Sequence, residues 1–255
     1  MRIRLLLDEQ INKYRSLDSW FKTPQGSRVA QAFVDELSQV NEQLYGERLI
    51  QLGHCGDDLW LSAFKFRDKS IVSPFSVQKK TTVLASLTLL PIERDSIDCV
   101  IAPLTLEAFP HSKNPMDEID RVLKPMGYAV FLGINPVSFW GAALRWGHLG
   151  CFGKTQVSLT SSLTVKRMML LRGYRQCALT SFYYIPPVAN EFLIRNLAFF
   201  NEMGKMVWPF PAAFYCLIVQ KYQYSPPAIR FNVVGAELLI NQKSSLAATS
   251  KWIHE

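Results

Sequence analysis

No stretch of this 255-residue chain approaches the roughly 18 uninterrupted apolar residues of a membrane-spanning helix. The nearest, Trp208 to Val219, is short and carries two prolines. The opening residues, MRIRLLLDEQ, reach acids after only a few apolar positions, so no secretory signal is expected there. Cysteine is sparse: Cys55, Cys99, Cys151, Cys177 and Cys216 are an odd number, scattered, with no CxxC pair. That argues against a disulfide framework or a zinc site and for reduced thiols in a cytoplasm. Acid is scarce in the second half, where residues 129–255 hold 12 Lys+Arg against 4 Asp+Glu, whereas residues 1–128 hold 16 against 17. A basic half suits an anionic substrate, nucleic acid or a phospholipid surface; dispersed as it is, without a polybasic run, it equally suits a solvated face. No RNA-binding motif, internal repeat or low-complexity tract is present.

Nearly half of the residues are hydrophobic, enough to bury the core of one large domain. Val29, Phe33, Leu37, Val40 and Leu44 recur at helical spacing, predicting a helix over Ser27 to Leu44, capped by Ser27 and ended near Gly46. Leu49 to Leu52 reads as a strand entering Gly53-His54-Cys55-Gly56, and Ile71-Val72 and Thr82 to Leu84 as weaker strands. Ile97 to Ala102 is near-continuously apolar, as in a strand buried on both faces. Asn114 and Pro115 open a helix whose inward stripe is Met116, Ile119, Val122 and Leu123. Pro125-Met126-Gly127 should turn the chain into a strand from Tyr128 to Ile134. Further on, the pattern predicts a helix over Leu163 to Leu171, a strand over Gln176 to Tyr184, a helix over Val188 to Met203 and a last strand over Phe214 to Lys221. Such alternation implies a doubly wound α/β domain, a mostly parallel sheet with helices on both faces and a ligand at the carboxyl ends of its strands. The expected division is a helical lead-in at 1–46, a main domain at 47–222 with a lid at 136–162, and a tail at 223–255.

The strand and glycine loop, Leu90-Pro91, Ser96 to Val100 and Arg121-Val122-Leu123-Lys124-Pro125 together resemble the class I S-adenosylmethionine-dependent methyltransferases, in particular those with a methyltransferase-11-type domain. The Gly133-Ile134-Asn135-Pro136 loop with Ser138, Trp140 and Gly141 is similar to a bacterial subgroup of them. The resemblance implies a Rossmann-like sheet of seven strands whose last, Phe214 to Lys221, is antiparallel. It further implies S-adenosylmethionine as cofactor, held by Gly53, His54, Cys55, Gly56, Ser73, Ser86, Leu87 and Leu104. A small-molecule acceptor would be held by Glu107, Asn135, Ser138 and Trp140, with no metal. No catalytic base is assigned, because in-line methyl transfer is helped mainly by proximity and desolvation.

The chain departs from that family's pattern where the cofactor should bind. Gln51 stands for the acid that opens the glycine loop, the loop continues as Gly53-His54-Cys55-Gly56-Asp57, Ile71-Val72-Ser73-Pro74 supplies no ribose acid, and Ser86 stands for the adenine-side Asp. Met126 replaces a glycine of the Lys-Pro-Gly-Gly turn. These departures leave open a second reading, a methyltransferase fold that has lost its cofactor and serves as a binding or scaffold module. Three side motifs carry less. His54-Cys55 lacks a second ligand pair for a metal, a thiol of lowered pKa at Cys55 lacks a positioned base, and His148 to Thr155 lacks the first glycine of a P-loop. His111 and Glu107 follow the fourth strand, where the resemblance places substrate or general-base groups; a capping or surface role is the alternative. The aromatic residues from Phe182 to Phe214 are either core or the wall of an acceptor site.

Overall fold

The computed structural model describes residues 2–76, 83–110, 115–153, 157–188, 191–197, 199, 211–222, 232–233 and 236–237. Helix α1 (Arg2–Phe21) precedes α2 (Pro24–Val40). The cap of α2 is Thr23, not Ser27: its Oγ1 accepts from the Gly26 amide at 3.2 Å, and Pro24 takes the first turn, where a missing N–H costs nothing. The expected apolar stripe of Val29, Phe33, Leu37 and Val40 is buried, and a 3-10 turn at Asn41–Gln43 ends the helix before Leu44.

The strands are β1 (Arg48–Leu52), β2 (Asp68–Ser73), β3 (Val83–Leu84), β4 (Ile97–Pro103), β5 (Leu123–Ile134), β6 (Tyr174–Phe182) and β7 (Phe214–Lys221). They form one seven-stranded sheet in the order β3-β2-β1-β4-β5-β7-β6. The first five pair in parallel, and β7 lies antiparallel between β5 and β6. This is the doubly wound, mostly parallel sheet that the pattern implied, with the antiparallel last strand that the family resemblance implied, and with helices around it. Strand order reverses between β1 and β4, and that switch point is where a doubly wound sheet opens a ligand crevice. Cys99 to Ala102 and Phe214 to Val219 are buried throughout, as expected of central strands.

Several boundaries differ from the sequence expectation. Strand β2 begins three residues before Ile71, and β6 runs from Tyr174 to Phe182 instead of 176 to 184. Asn114 lies outside the described residues; Pro115 occupies the cap position of α4 (Met116–Val122). The expected turn at 125–127 is a bulge inside β5, which already pairs Leu123 with Ile97 and resumes at Tyr128 opposite Cys99. The short helix α3 (Thr105–Ala108), unforeseen, follows β4, and α5 (Phe139–Arg145) forms within the lid. Helix α6 (Ser162–Leu171) agrees within one residue, and of the helix expected over 188–203 the structure describes α7 (Glu191–Leu197).

The residues that carry the family resemblance tie the parallel half together. Arg121 donates to the Leu90 and Ile92 carbonyls, each at 2.8 Å, and Glu118 accepts from the Leu90 amide at 2.8 Å. Asp98 accepts from Lys124 Nζ at 2.7 Å and from the amides of Glu47 and Arg48. Residues Met1–Gln223 form one compact unit and Tyr224–Glu255 a second, which holds the short antiparallel pair β8 (Asn232–Val233) and β9 (Ala236–Glu237). Among the described residues, no helix is long and apolar enough to cross a membrane.

Candidate functional site

Strand β1 delivers Gln51 and Gly53 to the switch point. Gly53 adopts φ +86° and Gly56 φ +60°, a left-handed backbone that glycine enters without a Cβ penalty. Gln51 is fully buried: Nε2 donates to the Gly53 carbonyl at 2.8 Å and to Asp58 Oδ1 at 2.6 Å, while Oε1 accepts from Trp60 Nε1 at 2.8 Å. A carboxylate at position 51 has no N–H with which to make the first two bonds. Asp58 supplies the loop's carboxylate instead, with Oδ1 also accepting from the Cys55 amide at 3.0 Å, whereas Asp57 is exposed. Sequence reasoning missed Asp58 and Trp60; Gln51 was their signal, since a buried amide needs both an acceptor and a donor.

His54 is fully buried between two carboxylates, its Nε2 3.3 Å from Asp18 Oδ1 and its Nδ1 against Asp58 Oδ2, without aligned hydrogen-bond geometry to either. Burial, with Asp58 and Asp18 nearby, raises the Cys55 thiol well above its usual range, and the loop runs into a 3-10 turn (Leu59–Ala63), not an α-helix. Neither feature lowers the thiol's pKa in the way an activated cysteine needs. Among the described residues no cluster could hold a metal ion. The P-loop-like segment enters from helix α5 and not from a strand; Lys154 and Thr155 are outside the described residues.

Helix α1 crosses the carboxyl ends of the strands. A Cβ added to Gly53 would lie 2.0 Å from Tyr14 Cε1, so the Tyr14 ring rests directly on that glycine. Asp18 Oδ1 accepts from the Gly56 amide at 2.9 Å, Lys13 Nζ donates to the Ala108 carbonyl at 3.0 Å, and Gln10 Oε1 accepts from Ser86 Oγ at 3.4 Å. The remaining expected cofactor residues gather on the same edge. Ser73 is buried, its Oγ accepting from the Phe75 amide at 3.4 Å. Leu87 and Leu104 are fully buried, Leu104 with φ +50°.

Of the expected acceptor residues, Glu107 is fully buried on α3. Its Oε1 accepts from the Ile134 amide at 2.8 Å, and its Oε2 has no hydrogen-bond partner. Burial raises its pKa to about 8, opposed by the hydrogen bonds from Ile134 and its own backbone. Tyr14, Cys151 and Tyr215 are near enough to feel its charge. Ser138 caps α5, accepting from the Gly141 amide at 3.2 Å and donating to the Asn135 carbonyl at 2.7 Å, while Asn135 Oδ1 accepts from the Val137 amide. Trp140 is buried, donates Nε1 to the Ile185 carbonyl at 2.8 Å and packs against Trp20, Tyr183 and Phe214. Phe182, Tyr183 and Phe214 are core; Phe192 and Phe199 are exposed; Phe200, Trp208, Phe210 and His111 are outside the described residues.

Residues 65–131, which span β2, β3, β4 and most of β5, match the family model of a methyltransferase domain. The fold is that of a class I S-adenosylmethionine-dependent methyltransferase. An S-adenosylmethionine-dependent methyltransferase of Thermotoga maritima, described as a possible histamine N-methyltransferase, superposes with a TM-score of 0.57 at 18% identity, covering 85% of this chain and 98% of its own. Geranyl diphosphate C-methyltransferase of Streptomyces coelicolor, solved with Mg2+, geranyl diphosphate and S-adenosylhomocysteine, gives 0.53 at 13% identity over 76% and 80%. The Escherichia coli protein YafS is 27% identical over 124 residues, 49% of this chain; the chain spans about half of that relative's length.

This methyltransferase fold keeps the turn of a cofactor loop, and α1 is seated on it: the Tyr14 ring lies where a Cβ of residue 53 would project, and the Gly56 amide is bonded to Asp18.

Proposed function

We propose that this chain is an S-adenosylmethionine-dependent methyltransferase, acting in the cytoplasm on a small-molecule acceptor. The observation that carries the reading is the left-handed glycine turn, Gly53 to Gly56, at the switch point of the seven-stranded sheet. When bound, the cofactor supplies an electrophilic methyl group; the chain's own task is to orient the acceptor and keep water away. Glu107 is the residue proposed to hold the acceptor's polar group. Its Oε2 is unbonded, and its raised pKa keeps the carboxyl protonated near neutrality, so it can donate a hydrogen bond there. Asn135, Ser138 and Trp140 shape the neighbouring lid, with Ser138 and Trp140 spending their polar groups on the fold.

The test is binding of S-adenosylmethionine or S-adenosylhomocysteine to the whole chain. At a concentration 100 times Kd, a specific ligand stabilises by about 2.7 kcal/mol, read as a rise in melting temperature. No rise at millimolar ligand overturns the proposal and favours the second reading, a methyltransferase fold kept as a binding module. That reading draws on the Tyr14 ring seated on Gly53.

A further inference from the structure

The buried face of α1 is not an ordinary apolar stripe. Gln10, Lys13, Tyr14, Leu17, Asp18 and Phe21 recur at helical spacing and are all buried, yet three of the six are polar. Each polar member bonds to a different strand end: Gln10 to Ser86 beyond β3, Asp18 to Gly56 beyond β1, and Lys13 to Ala108 beyond β4. The tightest approach is at the glycine turn. There Tyr14 lies on Gly53, a Cβ on Gly56 would fall 2.6 Å from Phe21 Cβ, and the Asp18 carboxylate takes the Gly56 amide beside His54.

We infer that α1 is an internal occupant of the cofactor site, with the Asp18 carboxylate and the Tyr14 ring holding positions that an amino-acid-bearing nucleoside must take over. The inference rests on the methyltransferase reading and adds a level of control to the same site. A ligand with a free carboxylate competes with Asp18 for the Gly56 amide, and its flat or apolar parts compete with Tyr14 for Gly53. Polar contacts suit exchange, because each bond that α1 gives up is replaced by one to the ligand or to water. Only two residues, Lys22 and Thr23, link the helix to α2, so release of α1 leaves the strands' own pairing in place while exposing the core face that Tyr14, Leu17 and Phe21 cover. Cofactor affinity is then reduced by the fraction of molecules in which α1 is seated.

The experiment compares S-adenosylhomocysteine binding by calorimetry with hydrogen exchange of the full chain, for the wild type, Asp18→Asn and Tyr14→Ala. The expected result is about tenfold tighter binding by Asp18→Asn, together with faster exchange of wild-type amides 10–21 when ligand is added. The wild-type exchange readout does not depend on either variant folding. Wild-type binding with α1 amides equally or better protected, and no tightening in Asp18→Asn, overturns the inference while leaving the methyltransferase reading intact. No binding by wild type or Asp18→Asn overturns both.

Discussion

Gln51 and Trp60 are joined inside the protein by a 2.8 Å hydrogen bond from the indole Nε1 to the amide Oε1, both side chains fully buried. The other end of the Gln51 amide donates to the Gly53 carbonyl and to Asp58, so one side chain closes the loop in both directions. Gln51→Glu removes both donated bonds and sets a second carboxylate against Asp58. Denaturant unfolding at pH 7 should show a loss of about 2–4 kcal/mol. Much of that loss should be recovered in acid, where a shared proton can bridge the pair.

Glu107 predicts a pH dependence of definite sign. Its folded pKa of about 8 lies above the ordinary 4.5, so between those values the native state binds a proton that the unfolded state releases. Its contribution is complete below about pH 4.5 and is lost as pH rises toward 8, with a slope of at most about 1.4 kcal/mol per pH unit. Glu107→Gln keeps an acceptor for the Ile134 amide and lacks the ionisation. Its unfolding free energy should therefore fall less than that of the wild type between pH 5 and pH 8.

Ser138 separates a structural role from a ligand role. Ser138→Ala removes the N-cap bond to Gly141 and the bond to the Asn135 carbonyl, and should cost about 1 kcal/mol in a thermal melt. Acceptor saturation that is unchanged in this variant would place the hydroxyl with the lid's architecture alone.

Met126 sits at φ +67° in the β5 bulge, where the family resemblance calls for glycine, and it is 46% exposed. Met126→Gly should relieve about 1 kcal/mol of left-handed strain, part of it offset by a more flexible unfolded chain. A rise of about one to two degrees in melting temperature checks this.

The sheet was legible because its central strands are continuous apolar runs and its helices carry spaced apolar stripes. Ile97 to Ala102, Tyr128 to Ile134 and Phe214 to Lys221 each lie within the strand found there. Boundaries moved where backbone bonding outweighed composition: Thr23 captured the start of α2, and pairing of Leu123 with Ile97 turned an expected loop into a bulged strand. Helix α1 was not separately readable. Its inward face mixes Gln10, Lys13 and Asp18 with Tyr14, Leu17 and Phe21, so hydropathy gives it no clean period.

The sequence by itself determined the succession of strands, the helices α2, α4 and α6 among them, the position of the glycine turn at Gly53 and Gly56, and the departure at Gln51, because these depend on local pattern and residue type. Only the tertiary structure decided what meets that turn. Asp58 replaces the missing acid from seven residues away, and Tyr14 and Asp18 arrive from a helix more than thirty residues upstream. Such contacts follow from how helices pack across strand ends, and no local periodicity encodes them.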